Sequence, residues 1–224
     1  KRALDSDAPM TTDTVVRIAS VTKAVTGACA MQLVEQGKLS LDAPLGPLLP
    51  ELGAAKVLDG YDADGKPRLR APKRPVTLRH LLTHTSGHTY DTWNASNGAY
   101  RERSGIPALT TGKLASLSMP LLFDPGEKWE YGIGIDWAGL AIEAASGLKI
   151  ADYMQRNLFA PLGMRDTGFR IGGSQRARLA ALYLRKDDGF APFDRGRPEV
   201  PEFDGGGGGL LSTVKDYTTF AQMI

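Results

Sequence analysis

The sequence predicts a mixed α/β (α+β) fold in which helices dominate. Apolar residues recur at helical spacing in three stretches, 21–36, 135–146 and 150–159. The clearest β-branched run covers only residues 14–18 and ends at Ala19-Ser20. Because so little strand signal accompanies the helices, we expect most of the sheet strands that support them to lie outside this chain.

Composition is that of a soluble globular protein, with 42% hydrophobic and 23% charged residues among 224. The net charge of +2 is spread along the chain, which gives no electrostatic case for a nucleic acid or an anionic membrane as partner. No apolar run approaches the ~18 residues that span a bilayer. The single cysteine, Cys29, excludes an intramolecular disulfide and is expected to be a buried core residue.

Start and stop signals place the individual elements. We expect helices at Val21–Gln36, Leu78–Thr83 with Thr77 as cap, 113–122, Ile135–Ser146 and Ile150–Phe159, and a last helix capped by Ser212. We expect turns at Asp62-Ala63-Asp64-Gly65 and Asp124-Pro125-Gly126, mixed loop and strand over 172–204, and irregular backbone at Gly205–Gly209. The chain opens on Lys1-Arg2-Ala3 without Met and stops inside a helical pattern, which is typical of an internal piece of a longer protein.

The pattern Ser-x-x-Lys, which can place a nucleophile beside a base, occurs three times, beginning at Ser20, Ser146 and Ser212. The chemistry needs the serine at a helix N-terminus, where free N–H groups and the positive dipole end favour an oxyanion, and the lysine on the same face. Ser146 falls at a helix C-terminus, where the dipole has the wrong sign. Ser212 follows the glycine run and is better explained as an ordinary cap.

Ser20 begins the most apolar helix of the chain and brings Lys23 into apolar surroundings, which favour a neutral amine that can accept a proton. Taken alone, an N-cap role for Ser20 is an equal alternative. Tyr131 follows the Asp124-Pro125-Gly126 turn and precedes a helix, so its hydroxyl is a candidate general base. A tyrosine that only packs its ring is the ordinary alternative for a loop position.

Several blocks of the sequence, in this order, resemble the class C β-lactamase-like serine hydrolases, which include carboxylesterases and D-amino-peptidases. The blocks are Ser20-Val21-Thr22-Lys23, residues 33–44, 81–87, 125–131 and 161–167, and Gly208-Gly209-Leu210-Leu211-Ser212-Thr213. The resemblance implies acylation of Ser20, with activation by Lys23 and Tyr131. It also implies the serine β-lactamase/penicillin-recognising fold, an antiparallel sheet flanked by helices plus a helical domain.

On that resemblance the chain divides into three parts. Residues 1–76 would be part of the α/β domain with the nucleophile helix, 77–204 a mostly helical domain, and 205–224 the return helix of the α/β domain. The third motif of the family and the strand that supplies the second oxyanion donor are expected beyond this chain. Trp137-Ala138-Gly139 fits that motif loosely, but it lies within a predicted helix and in the wrong order.

One departure from the resemblance concerns substrate. The β-lactamases have Tyr-x-Asn where this chain has Tyr131-Gly132-Ile133, and an isoleucine cannot orient an amide. Asp136, five residues after Tyr131, is similar to the esterase branch (the family VIII carboxylesterase type). The sequence therefore favours a carboxylesterase for short-chain esters, with no cofactor and no metal. A β-lactamase, a D-amino-peptidase, an acyltransferase or a catalytically silent binding relative stays as the alternative.

Three further features have ordinary explanations. His80, His84 and His88 are spaced by four, but Ser86-Gly87 breaks the helix before His88, so a metal site is disfavoured. The Gly205–Gly209 run lacks the Lys-Ser/Thr of a phosphate loop. The aromatic residues of the polar segment, Tyr90, Trp93 and Tyr100, could equally wall an acyl pocket or cover the core. We expect a small-molecule ester as the partner and a cytoplasmic location, with the periplasm as the alternative.

Overall fold

The structure is a computed structural model that describes residues 1–194, 198 and 200–224. Its main helices are α1 (Thr22–Glu35), α2 (Pro50–Gly53), α3 (Leu78–Leu82), α4 (Ala95–Ser104) and α5 (Gly134–Ser146). They are followed by α6 (Ile150–Met154), a π-helical turn at Gln155–Phe159, α7 (Ala160–Leu162), α8 (Gly173–Arg176) and α9 (Val214–Met223). Short 3-10 turns lie at Ala19–Val21, Leu109–Thr111 and Leu114–Leu117.

Within the described residues, the strands form three antiparallel pairs. β1 (Val16–Arg17) pairs with β6 (Leu211–Ser212), with Val16 opposite Ser212. β2 (Val57–Tyr61) pairs with β3 (Pro67–Arg70) around the predicted Asp62–Gly65 tip, and β4 (Tyr183–Lys186) pairs with β5 (Gly189–Pro192). The β1–β6 pair brings the two ends of the chain together, so the start of α1 lies beside the segment that follows the glycine run.

The core forms where α1 and α5 pack against each other. Val25, Cys29 and Leu33 of α1 and Ala138 and Ala141 of α5 are buried in it. Cys29 is fully buried, as the sequence predicts, and burial raises the pKa of its thiol to about 12. This packing holds the N-terminal ends of α1 and α5 in place relative to each other.

One predicted helix and one predicted helix cap are wrong. Only the 3-10 turn Leu114–Leu117 forms where a helix was expected at 113–122. Pro120 disfavours helix at the residue before it, and Leu121 exchanges backbone hydrogen bonds with the segment at 56–58. Ser212 is not the cap of the last helix, because it belongs to β6. Thr213 is the cap, and its side chain accepts the Asp216 N–H at 3.1 Å.

The remaining elements agree with expectation or add to it. Thr77 caps α3 as predicted, and α5 begins one residue before its expected start and ends at Ser146. The expected helix 150–159 forms as α6 and its π-helical continuation. The mixed loop and strand expected for 172–204 includes β4 and β5, while residues 195–197 and 199 lie outside the described part.

Candidate active site

Ser20 occupies a sharp bend between β1 and α1. The residue before it, Ala19, has φ of +46°, in the left-handed region that costs an L-residue ~1–2 kcal/mol. The bend leaves Ser20 exposed in the 3-10 turn that leads into α1. Its backbone N–H lies in a first helical turn, where N–H groups lack an intrahelical acceptor and can be offered to an oxyanion.

Lys23 ends among three oxygen atoms. Its Nζ lies 3.3 Å from Ser20 Oγ, 3.1 Å from Tyr90 Oη and 2.6 Å from the carbonyl oxygen of Gly207. An ammonium group has three hydrogens and no lone pair, so the three acceptors match its hydrogens one to one. The predicted contact between Ser20 and Lys23 is therefore present, within a network that also includes Tyr90 and Gly207.

Two tyrosines lie beside Lys23 in different ways. Tyr131 presents its ring face, with Lys23 Nζ 4.7 Å from the ring centroid. Tyr90 presents its hydroxyl, and its ring lies 5.5 Å from that of Tyr131. Burial, and secondarily the charge of Asp136, raises the pKa of Tyr90 far above its ordinary value. Tyr90 is therefore protonated at neutral pH, and its oxygen accepts a hydrogen of Lys23.

The glycine run forms an irregular loop against α1. Three polar side chains in the first half of that helix hold the loop or the residue beyond it. Thr22 Oγ1 accepts the Leu210 N–H, Lys23 donates to the Gly207 carbonyl, and Thr26 Oγ1 donates to the Gly206 carbonyl at 2.8 Å. On the other side, Asp136 Oδ1 accepts the Gly207 N–H at 2.9 Å. Sequence reasoning missed this role. The available signal was the polar trio 22, 23 and 26 in the first half of a helix whose next five residues are apolar or small.

Ser20 opens onto a cavity of about 310 Å³. Its walls combine the glycine loop with aromatic and aliphatic side chains, among them Tyr90, Trp93, Leu109, Tyr131 and Phe203. Tyr90 and Trp93 thus belong to the cavity wall, the first of the two possibilities weighed above. Tyr90 also packs against the core, as does Tyr100, which lines a different cavity. A larger cavity of about 680 Å³ lies between Leu49 and Lys149, away from Ser20, Lys23 and Tyr131.

The other sequence candidates have structural roles. Ser146 donates back to the Ile142 carbonyl at the end of α5, and Ser212 Oγ lies 2.7 Å from Thr167 Oγ1. Ile133 is buried in the core, so the residue that stands in place of the β-lactamase asparagine gives the cavity no amide.

The three histidines have separate surroundings. The Nδ1 of His80 accepts the Thr77 N–H in the capping box of α3, and His84 packs on the ring of Tyr131. His88 is buried, with its Nδ1 3.1 Å from Ser86 Oγ. In the part of the chain that the structure describes, no group of three His, Cys, Asp or Glu residues could hold a metal ion.

The β-lactamase family model matches residues 1–224. The chain belongs to the β-lactamase family. The chain is 40% identical to an acyltransferase of Monascus pilosus (mokF) over 192 residues. This alignment covers 83% of the chain and 46% of the acyltransferase. The chain is also 40% identical to the lovastatin esterase of Penicillium rubens over 178 residues, 78% of the chain and 45% of that protein.

Solved structures agree with this assignment. The simvastatin synthase of Aspergillus terreus (LovD6 mutant) superposes with a TM-score of 0.87 at 36% identity, covering 98% of this chain and 55% of that one. The chain thus spans about half the length of the relatives it matches. The predicted serine β-lactamase-type fold and the enzyme family are therefore confirmed. Among the described residues, no helix is both long and apolar enough to cross a membrane.

Proposed function

We propose that this chain carries the nucleophile centre of a carboxylesterase that transfers short acyl groups through an acyl-Ser20 intermediate. One observation carries the proposal, the placement of Lys23 Nζ among Ser20 Oγ, Tyr90 Oη and the Gly207 carbonyl. When the amine is neutral, its two hydrogens match Gly207 and Tyr90, and its lone pair is left for the Ser20 hydroxyl.

The first half-reaction forms the acyl-enzyme. Ser20 Oγ bonds to the ester carbonyl carbon as its proton passes to Lys23, and the carbonyl electrons move to oxygen, where the Ser20 N–H is one donor. Collapse of the tetrahedral intermediate breaks the bond to the alkoxide, which takes a proton from the Lys23–Tyr131 pair as it leaves. In the second half-reaction a water oxygen bonds to the acyl carbon and its proton passes to the same pair. The bond between the acyl carbon and Ser20 Oγ then breaks, Ser20 Oγ takes that proton back, and the carboxylic acid leaves.

Tyr131 is the second acid–base group of this proposal. It lines the same cavity as Ser20, and its ring lies against the Lys23 amine. A cation over an aromatic face is attracted by the ring quadrupole, so charge on Lys23 and the position of Tyr131 are coupled. Tyr90 holds Lys23 and takes no proton.

Transfer to an alcohol instead of water is the second candidate. The specific observation in its favour is that mokF and simvastatin synthase carry transferase or synthase names, at 36–40% identity. The two outcomes share the acyl-Ser20 intermediate and differ only in the second nucleophile. A cavity of about 310 Å³ lies at the low end of small-molecule sites, which suits a small acyl group.

The test uses the full-length protein and a short-chain p-nitrophenyl ester. We expect a burst of p-nitrophenol equal to the enzyme concentration, and Ser20→Ala is expected to abolish both burst and turnover. Ser146→Ala is the matched control, because it alters another Ser-x-x-Lys serine and is expected to leave the rate unchanged. Turnover that persists in Ser20→Ala would contradict the proposal.

Two additions to the same assay separate the alternatives. An added alcohol that diverts the acyl group into a new ester indicates an acyltransferase, whereas an unchanged yield of acid indicates an esterase. A chromogenic cephalosporin is expected to react with a lower kcat/KM than the ester, because Ile133 gives the cavity no amide. A higher kcat/KM for the cephalosporin would contradict the role given to Ile133.

A further inference from the structure

We propose that Asp136 is a positioning residue for Lys23 and acts through the glycine loop. The inference rests on the proposed function, since it explains how Lys23 is held for the transfer of the Ser20 proton. Asp136 is the third residue of α5 and is 3% exposed. A carboxylate in the first turn of a helix is stabilised by the free N–H groups and the dipole there, which helps to keep it charged in the interior.

A continuous series of hydrogen bonds joins Asp136 to the nucleophile. Asp136 Oδ1 accepts the Gly207 N–H at 2.9 Å, the Gly207 carbonyl accepts a hydrogen of Lys23 at 2.6 Å, and Lys23 Nζ lies 3.3 Å from Ser20 Oγ. Gly207 thus uses both of its backbone groups, one toward α5 and one toward α1. The Gly207 N–H shares its peptide plane with the Gly206 carbonyl, which accepts from Thr26 Oγ1, so this peptide is held from both sides. It anchors the residue whose own carbonyl orients the amine.

The loop leaves no room for a side chain at Gly207. A Cβ there would lie 2.5 Å from Asp136 Oδ2, closer than real Cβ contacts. At the next position, Gly208, a Cβ would meet only the Ala19 backbone at 3.8 Å, an ordinary contact. Adjacent glycines of one loop therefore differ in whether a methyl group would push Asp136 away, and they form a matched pair of variants.

A purely structural role predicts a different result. If Asp136 only braced the fold, its loss would lower the melting temperature, and the activity of the molecules that stay folded would be unchanged. If it positions Lys23, its loss lowers kcat in folded protein and leaves KM nearly constant, because the affected contact matters in proton transfer. Asn keeps an oxygen that can accept the Gly207 N–H, so it is the conservative variant.

The experiment compares Asp136→Ala, Asp136→Asn, Gly207→Ala and Gly208→Ala in the full-length protein. For each we measure kcat and KM on the p-nitrophenyl ester, the melting temperature, and the rate at which a fluorophosphonate labels Ser20. In that reaction Ser20 Oγ bonds to phosphorus, fluoride leaves, and the Ser20 proton passes to the base. We expect Asp136→Ala and Gly207→Ala to slow kcat and labelling by about 10- to 100-fold. Asp136→Asn is expected to stay within about threefold of the parent protein. Gly208→Ala places a methyl group in the cavity wall without contact to Asp136, so its kcat is expected to stay about tenfold or more above that of Gly207→Ala.

Contrary results have distinct meanings. Labelling of Asp136→Ala at the parent rate would overturn the positioning role while leaving acyl transfer at Ser20 intact. An Asn variant as slow as the Ala variant would overturn the hydrogen-bond route through Gly207. If Asp136→Ala fails to fold, equal rates for Gly207→Ala and Gly208→Ala would overturn the inference. Absence of labelling in the parent protein, or equal labelling of Ser20→Ala, would instead contradict the proposed function.

Discussion

At the scale of single residues, the amine of Lys23 is held by one neighbour in its own helical turn and by two partners from distant parts of the chain. Ser20 lies one helical turn away, Tyr90 comes from the segment after α3, and Gly207 comes from the loop before β6. Buried or partly buried lysines need such acceptors, because an unpaired ammonium is costly away from water. When the amine is neutral, hydrogen bonds to Tyr90 and Gly207 orient its two hydrogens, so its lone pair points toward Ser20 Oγ.

The two tyrosines beside Lys23 are expected to differ in their effect on catalysis. Tyr131→Phe removes the hydroxyl that we assign to proton transfer, so kcat should fall by about 10²- to 10⁴-fold. Tyr90→Phe removes one acceptor of Lys23 and leaves the proposed bases in place, so the loss should be smaller, about tenfold. Steady-state kinetics on the p-nitrophenyl ester measures both. A greater loss in Tyr90→Phe than in Tyr131→Phe would reverse the two roles.

At the scale of elements, the two core helices α1 and α5 were predictable and the loop partners were not. The apolar spacing and the glycine stops gave α1 and α5 to within a few residues, because each signal is local. The contact between Lys23 and Gly207 joins residues 184 positions apart, and no local pattern encodes it. Ser20 and Lys23 could be named from helix polarity and the ordered blocks. Tyr90, Asp136 and the glycine run could be noticed in the sequence, but their contacts around Lys23 required the three-dimensional structure.

The helix that sequence reasoning missed shows the limit of periodicity. α4 is polar through most of its length, so it presents no clear apolar stripe. Its ends carry the signals that were available: the Asn94 side chain accepts the Asn97 N–H at 3.2 Å, and Gly105 follows with φ of +64°. Caps therefore identify a surface helix that its composition conceals.

An ion pair ties β3 to the turn that precedes Tyr131. The Arg70 guanidinium donates hydrogen bonds to both carboxylate oxygens of Asp124, at 2.9 and 2.8 Å. The Lys73 backbone N–H donates a third. The Asp124 side chain is fully buried. Hydrogen bonds from Arg70 hold the pKa of Asp124 well below its ordinary 3.8. The pair therefore stabilises the fold at pH values above 3.8, and that contribution is lost as the pH falls toward the lowered pKa.

Asp124→Asn is expected to lower the melting temperature at pH 7 by several degrees, because it leaves Arg70 without its charged partner. Asp42→Asn is the matched control: Asp42 also forms two bonds to an arginine, Arg79, but its side chain is 69% exposed. Exposed pairs contribute little, so this variant should melt close to the parent protein. Differential scanning fluorimetry measures both, and equal shifts would show that burial does not decide the contribution of this pair.

At the scale of the whole molecule, the site and the core share the same two helices. α1 supplies Lys23 from one face and core residues from another, and α5 supplies Asp136 and the buried Ala138 and Ala141. Tyr131, which precedes α5, packs on the ring of His84. His88, four residues after His84, is buried beside Trp137 of α5. Conditions that charge these histidines therefore act on the core and on the site together.

Acid is expected to destabilise the folded chain through His88. Burial lowers the pKa of its imidazole to about 4, from 6.5 for an exposed histidine. Below pH 6.5 the unfolded chain binds a proton that the folded chain does not accept until about pH 4. The free energy of unfolding therefore decreases as the pH is lowered from 6.5 to about 4. The upper bound for a shift of this size is ~3 kcal/mol. His84, whose pKa burial and Lys23 also lower to about 4, titrates in the same window but is less buried, so it adds less.

Guanidinium unfolding of the parent protein and of His88→Asn, each at pH 7 and at pH 4.5, tests this expectation. The variant keeps a polar group that can reach Ser86 Oγ, the partner of the His88 Nδ1, and removes the titrating ring. We expect it to be less stable than the parent at pH 7, because a smaller side chain leaves space beside Trp137. The free energy of unfolding should nevertheless fall less between the two pH values in the variant than in the parent. An equal fall in both would assign the acid sensitivity to His84 or to the carboxylates, and would remove His88 from it.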